Sequence, residues 1–395
     1  MTGKIEQLTI PPRTLMGPGP TDVDPKVLAA MSMPLLSHLD PHFLKIMNEL
    51  LDMTRQVFKT SNTFAAPVPG TGHAGMEACL INALEPGDTA VVGVCGLFGQ
   101  RMADIVGRTG ADLIVVENAW GQPLDPLAVN EAMNKAKKPK LLAVVHGETS
   151  TGVLQPLGSL SKIAKEHDAL FLVDTVVTLG GCEVRVDDWG IDIAYSGSQK
   201  CLSAPPGLAP VTLNDRAVEV LKNRKRKVQS WYLDLTMLLQ YWGKERFYHH
   251  TAPINMIYAM HEAMRLLLEE GLDNAFARHA RHGRALSAGL EAMNIELPVD
   301  PEYRIPHLVV ARIPEGLEDA KVRRMLVENY GIEIGGGLGP SKGQIWRIGL
   351  LGYSAREKNV LALLAALEDI FRVQGYRGFD PGAGLAAARA VYEGK

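Results

Sequence analysis

Cysteine is scarce in this chain, and what there is lies scattered: Cys79, Cys95, Cys182 and Cys201 form no C-x-x-C pair. The spacing encodes neither a disulfide framework nor a thiolate metal site, and each thiol reads as a small buried hydrophobe without a paired base. Long apolar runs are missing too, and none approaches the roughly 20 residues of a membrane-spanning helix. Nor is there an excess of one charge, since 41 Lys and Arg stand against 44 Asp and Glu for a net charge of -3. No polybasic field for nucleic acid is expected. The one basic run, from Lys222 to Lys227, reads as a solvated face following a helical stretch. Met1 to Pro12 lack the apolar centre of a signal peptide, and Glu393-Gly394-Lys395 is not a peroxisomal address, so the reducing cytoplasm is the expected compartment.

What is present suits an enzyme with more than one core. A chain of 395 residues, 46% of them hydrophobic, predicts a large domain with a smaller partner. Short aliphatic runs alternate with helical patterns from Thr89 to about Val211, which predicts an α/β fold with a mostly parallel sheet. The runs Thr89 to Val94, Asp112 to Val116, Leu141 to Val145, Leu170 to Val173, Ile191 to Tyr195 and Ala209 to Thr212 read as buried strands. Helices follow near Leu235 to Tyr241 and Ile254 to Glu270, the second closing on Gly271. The boundary is placed there, giving a large domain over 1–271, with 1–20 an extended N-terminal segment, and a small α+β domain over 272–395. In the latter a strand at His307 to Ile313 and helices at Ala320 to Tyr330 and Ala355 to Arg372 are expected.

Three features carry chemistry. Gly70-Thr71-Gly72-His73-Ala74-Gly75 matches G-x-G-x-x-G ahead of a helical pattern through Met76, Leu80 and Leu84. The acidic ribose ligand of a dinucleotide site is missing, because the next strand runs into Val94-Cys95-Gly96. Two readings remain: a phosphate cradle at a helix N-terminus, or a glycine-rich turn without function. Asp174 stands just past Leu170-Phe171-Leu172-Val173, where it either pairs with a protonated ring nitrogen of pyridoxal phosphate or caps the next segment. Lys200 ends Ser196-Gly197-Ser198-Gln199-Lys200 behind another buried strand. A lysine held among small residues there suits Schiff-base chemistry, whereas an isolated lysine is ordinarily a surface residue; Asp174 one strand earlier favours the former.

Asp174, the Ser-Gly-Ser-Gln-Lys segment and Ala204-Pro205-Pro206-Gly207 together resemble the class V aminotransferases, in particular the alanine–glyoxylate (serine–pyruvate) aminotransferase family. The resemblance runs through Gly17-Pro18-Gly19-Pro20, His146-Gly147-Glu148-Thr149-Ser150-Thr151-Gly152, Tyr248-His249-His250-Thr251, Gly336-Gly337-Leu338-Gly339-Pro340 and Trp346-Arg347-Ile348-Gly349. It implies fold type I of the pyridoxal-phosphate transferases, with pyridoxal 5'-phosphate on Lys200 and Asp174 against the ring nitrogen. Thr71, Gly72, His73 and Gln199 would hold the phosphate, joined by Tyr248 and Thr251 of a second subunit, so that a homodimer with shared sites is implied. Phe98 would stack on the ring, Thr149 would lie beside its phenolic oxygen, and Arg347 would bind the substrate carboxylate in a small pocket bordered by Gly19 and Thr149. His249 and His250 lack a third ligand and read as packing or phosphate-shell residues; no metal is expected.

The implied reaction is transamination of alanine or serine with glyoxylate, giving glycine and a 2-oxo acid by ping-pong kinetics. A second resemblance, to ureidoglycine–glyoxylate aminotransferase, includes the tail Ala386-Ala387-Ala388-Arg389-Ala390-Val391-Tyr392. That family's pattern has a glutamine within Ser37-His38-Leu39-Asp40 and an asparagine before the His-His pair. This chain has His38 and Tyr248, departures that favour the alanine–glyoxylate reading. A cysteine desulfurase would want a cysteine in a glycine-rich C-terminal loop, and an NAD-dependent oxidoreductase would leave Lys200 unexplained.

Overall fold

The computed structural model describes residues 7–394. At its centre is a seven-stranded sheet. In chain order its strands are β1 (Phe64–Pro69), β2 (Thr89–Val94), β3 (Asp112–Glu117), β4 (Pro139–Val145), β5 (Leu170–Asp174), β6 (Ile193–Tyr195) and β7 (Leu208–Leu213). In space they lie β1-β7-β6-β5-β4-β2-β3. Strands β4, β5, β6 and β7 are buried along nearly their whole length, so their sequences are apolar runs rather than alternating patterns. The expected α/β class and mostly parallel sheet are present, with one exception: β7 runs antiparallel to both neighbours. Because it is inserted between β1 and β6, β1 points the same way as the parallel strands.

Strand β1 had no place among the expected strands. It contains Pro67 and Pro69, and proline cannot donate to a ladder, so such a segment reads poorly as a strand. Its position explains the tolerance: it lies at the sheet edge and pairs only with β7, Pro67 opposite Pro210.

A smaller three-stranded sheet has β8 (Leu308–Arg312) and β9 (Gly335–Gly336) flanking β10 (Ile345–Gly349). Its core includes Trp346, Ile348, Leu363, Leu367 and Phe371, whereas the large core runs from Val27 to Ala275. The change from one core to the other falls within the helix Leu272–Ala292. Met16 packs with the smaller core, and Thr14–Leu15 pairs in parallel with Ile332–Glu333. The N-terminal segment is therefore stitched to the smaller core before it reaches the large sheet. At the other end Ala383–Tyr392 packs on Leu272–Ala292, with His282 Nδ1 2.9 Å from the Tyr392 hydroxyl. Among the described residues no helix is long and apolar enough to cross a membrane.

The contact between that long helix and the segment leading into β8 depends on Gly283. A Cβ there would stand 2.9 Å from the Pro306 carbonyl carbon, and a backbone carbonyl cannot swing away. Gly283→Ala is expected to lower stability by about 1–3 kcal/mol, as overpacking does, measured by urea unfolding. A stability equal to or above wild type would contradict that packing.

Candidate active site

Because β1 is kept parallel, the segments after β1, β2, β4, β5 and β6 all emerge at the carboxyl edge of the sheet, where ligands of open α/β sheets bind. Those segments carry Thr71 to His73, Phe98, Thr149, Asp174 and Lys200 in turn. The Lys200 side chain is buried, with 9% of its surface exposed. Its Nζ donates to the Pro18 carbonyl oxygen, and Gly19 (φ +115) passes so close that an added Cβ would meet Lys200 Cδ at 2.7 Å and Cε at 2.8 Å. Burial pushes the amine down to about 8, with the charge of Arg347 also lowering it against the opposing effects of Cys201 and Asp174. The lowering makes a neutral fraction available near neutral pH, and that fraction is a nucleophile and proton acceptor.

Asp174 lies opposite Tyr195 in the β5–β6 register. Its Oδ2 accepts from the Tyr195 hydroxyl at 2.7 Å and its Oδ1 from the Val176 N–H at 2.7 Å. Burial pushes its carboxyl up to about 7 in spite of both bonds, with Glu148 adding to the rise and Lys200 opposing it. Two acceptor positions remain on the carboxylate, and a cationic N–H brought against it would restore the ionised form.

At the start of the helix Gly72–Ala83, Thr71 occupies the N-cap but its side chain caps nothing. The Gln199 side-chain oxygen is buried without a partner. Free hydroxyl, unpartnered amide and helix N-terminus together suit an anion. His73 turns its ring outward: its Nε2 is 2.5 Å from Arg101 Nη1, and its ring centroid lies 6.0 Å from that of Phe98. Arginine only donates, so His73 accepts there and is neutral; burial, Arg101 and Lys200 all lower its pKa.

Arg347, on β10, is 7% exposed. Its Nε donates to the Gly336 carbonyl at 2.8 Å and its Nη1 to the Thr149 carbonyl at 3.3 Å. It forms no ion pair with any described residue, and burial lowers it to about 10 while Glu148 raises it. A buried guanidinium without a carboxylate is costly, and a ligand carboxylate would relieve that cost. The sequence reading gave no role to Glu148 or Tyr195. Glu148 is wholly buried and accepts from the N–H groups of Phe98 and Gly99 at 3.0 and 3.2 Å.

Tyr248 and Thr251 stand apart from this cluster. They face each other at 3.3 Å, both exposed, and neither hydrogen-bonds to a described residue around Lys200. Tyr248 is in ring contact with His38 at 5.1 Å. His249 stacks on Trp231 at 4.4 Å and bonds to His250 at 2.9 Å, a packing role for the pair.

The Aminotransferase class-V family model matches residues 16–358, from the segment beside Lys200 to beyond Arg347. The chain belongs to the class V aminotransferases. The (S)-ureidoglycine–glyoxylate transaminase of Bacillus subtilis is 44% identical over 100% of this chain and 98% of its own length. The crystal structure of the ureidoglycine–glyoxylate aminotransferase from Bacillus subtilis superposes with a TM-score of 0.96 at 45% identity, over 98% of this chain and 100% of that one. That of an alanine–glyoxylate aminotransferase from Nostoc sp. gives 0.92 at 45% identity, over 93% and 98%. As a class V aminotransferase the protein uses pyridoxal phosphate, and the unpartnered groups at the carboxyl edge fit that molecule: an anion site, a carboxylate short of a cation and a buried amine.

One consequence is measurable without cofactor. Burial pushes the Asp174 carboxyl from its ordinary 3.8 up to about 7, so the folded state holds its proton more tightly. The stability this contributes is full below about 3.8 and is lost as pH rises through about 7. In the cofactor-free protein Asp174→Asn is expected to flatten the fall of melting temperature between these limits; an unchanged slope would contradict the assignment.

Proposed function

We propose that this class V aminotransferase transfers the amino group of a small amino acid, alanine or serine, to glyoxylate, giving glycine and a 2-oxo acid, as a cytoplasmic homodimer with shared active sites. The observation that carries the reading is the pair of buried cations: Lys200, an amine lowered to about 8, and Arg347, without an ion pair and near enough for its charge to act on Lys200. One is a base for the reacting carbon, the other an anchor for its carboxylate.

When bound, pyridoxal phosphate supplies an electron sink for the charge left at the substrate Cα. Thr71, Gly72, His73 through its backbone, and Gln199 would hold its phosphate, Asp174 would pair with its ring nitrogen, Phe98 would cover a ring face and Thr149 would lie by its phenolic oxygen. Tyr195 and the Val176 N–H fix the Asp174 carboxylate from behind. Arg347 orients the substrate carboxylate, and Lys200 Nζ takes up and returns the proton at Cα. Gly19 leaves the room in which Lys200 moves, since any side chain there would collide with it. Tyr248 and Thr251 reach the partner's phosphate. Their exposure, 53% for Tyr248, supports this, together with that of two neighbouring large aromatics: Trp231 is 60% exposed and Phe247 57%. Four buried free cysteines agree with a reducing compartment.

Ureidoglycine as donor is the second reading, favoured by superposition on that aminotransferase's structure over 98% of this chain, against 93% for the alanine–glyoxylate enzyme of Nostoc. His38 and Tyr248, the two positions that depart from the ureidoglycine pattern, touch each other. A panel of alanine, serine and ureidoglycine against glyoxylate decides between them: alanine or serine as the best donor is expected, and ureidoglycine far ahead would overturn the choice. Arg347→Lys is expected to raise KM for both substrates by about tenfold or more, since an ammonium cannot make the bidentate pair; unchanged KM would remove Arg347 from substrate binding. Sedimentation is expected to give twice 42.9 kDa, and a fully active monomer would refute the shared site.

A further inference from the structure

Glu148 takes no part in the roles above, yet it is 0% exposed and within electrostatic reach of both Asp174 and Arg347. A buried carboxylate is retained at a cost unless its oxygens are fully bonded. Here they are. Oε2 accepts from the Phe98 N–H at 3.0 Å and the Gly99 N–H at 3.2 Å; Oε1 accepts from the Ser150 N–H at 3.1 Å and the Ser150 hydroxyl at 2.6 Å. Four bonds exhaust the carboxylate's acceptor positions, so none is left for a substrate atom or for Arg347. The group therefore acts through what it holds.

What it holds is the start of the helix Leu97–Arg108, whose N-cap is Gly96 and which has no capping side chain of its own. Ser150 Oγ accepts from the Leu97 N–H at 2.9 Å, so the first three N–H groups of the helix are all capped from one distant loop. A negative charge at that end also suits the helix dipole. Gly96 allows the approach, since a Cβ there would meet Glu148 Cδ at 2.5 Å. The same loop supplies the Thr149 carbonyl that accepts from Arg347 Nη1 at 3.3 Å. Its own turn is tied by the Thr151 and Gly152 N–H groups, which donate to the Glu148 carbonyl at 3.1 and 2.8 Å.

We propose that Glu148 is a positioning residue that, through Ser150, locks the helix start bearing Phe98 to the loop bearing Thr149, so that the ring-covering group and the carboxylate-binding Arg347 keep one fixed geometry. The proposal rests on the roles given above to Phe98 and Arg347. Glu148→Gln separates it from a plain structural cap. One amide oxygen serves either the helix or Ser150, and the amide nitrogen then faces the donors of the other set.

The test uses the full-length enzyme with two readouts. Hydrogen–deuterium exchange over 97–99, measured without substrate, is expected to quicken by about tenfold, the scale of losing a charge-assisted bond, with β5 and β6 unchanged. Steady-state kinetics of the cofactor-loaded variant are expected to show KM for the amino donor and for glyoxylate raised together by about tenfold, with a smaller fall in kcat. A lower melting temperature with wild-type KM would make Glu148 a cap and nothing more, and overturn the coupling. Unchanged exchange at 97–99 would overturn it as well. Should Glu148→Gln fail to fold, Ser150→Ala removes only the hydroxyl bridge to Leu97; smaller changes of the same sign support the proposal and their absence overturns it. A wild-type enzyme that binds cofactor but transaminates nothing would sink the functional reading instead, while the exchange arm would still report on the lock.

Discussion

Everything at the carboxyl edge answers to one constraint: an ammonium, Lys200, is buried where its charged form is penalised. The surroundings do not neutralise it with an ion pair; its Nζ has a backbone carbonyl, and Arg347 adds a second positive charge within reach. Such a site is short of negative charge by construction. Two anionic groups, a phosphate at the Gly72–Ala83 helix start and a carboxylate at Arg347, would make good that shortage, one at each end of the cleft. The same low dielectric raises Asp174, so that a ring cation placed against it gains more than it would in water.

The fold provides this by an irregularity. Were β7 parallel like its neighbours, the chain leaving β1 would point away from Lys200 and the Thr71 turn would be on the far edge. Running β7 the other way places five loops on one edge and leaves proline-rich β1 harmlessly at the sheet margin. The N-terminal segment closes the cleft from the other side: Gly349 N–H donates to Met16 at 2.8 Å, and Thr21 N–H to Gln199 at 3.1 Å, so residues between them bridge the two sheets next to Lys200.

How much of this the sequence discloses depends on what kind of signal each element leaves. Strands β2 and β4 to β7 are buried along most of their length and appear as apolar runs, the edge strand β3 is aliphatic though largely exposed, and Asp174 and Lys200 are conspicuous as charges beyond such runs. β1 is hidden by Pro67 and Pro69. The helix expected over Ala320 to Tyr330 ends instead in a π-helical stretch at Leu326–Tyr330, a change of hydrogen-bond pitch with no signature in apolar spacing. Phe98, Thr149 and Arg347 gain meaning in sequence only through the family resemblance, since they come together from separate segments. Tyr195 looks like any strand aromatic. Glu148 did leave a trace, an acidic residue among small ones shortly after a buried strand, but the helix start that it caps, at Phe98, lies 50 residues away in the chain. Sequence spacing reports local geometry well and tertiary hydrogen bonds hardly at all.

The central claim is that the buried amine of Lys200, and no other, carries the cofactor. Reduction of the yellow holoenzyme with borohydride, followed by mass mapping of its peptides, tests this directly. The account predicts one pyridoxyl label, on the peptide containing Lys200, and none in Lys200→Ala treated the same way. A label on a different lysine, or equal labelling of the variant, would contradict it.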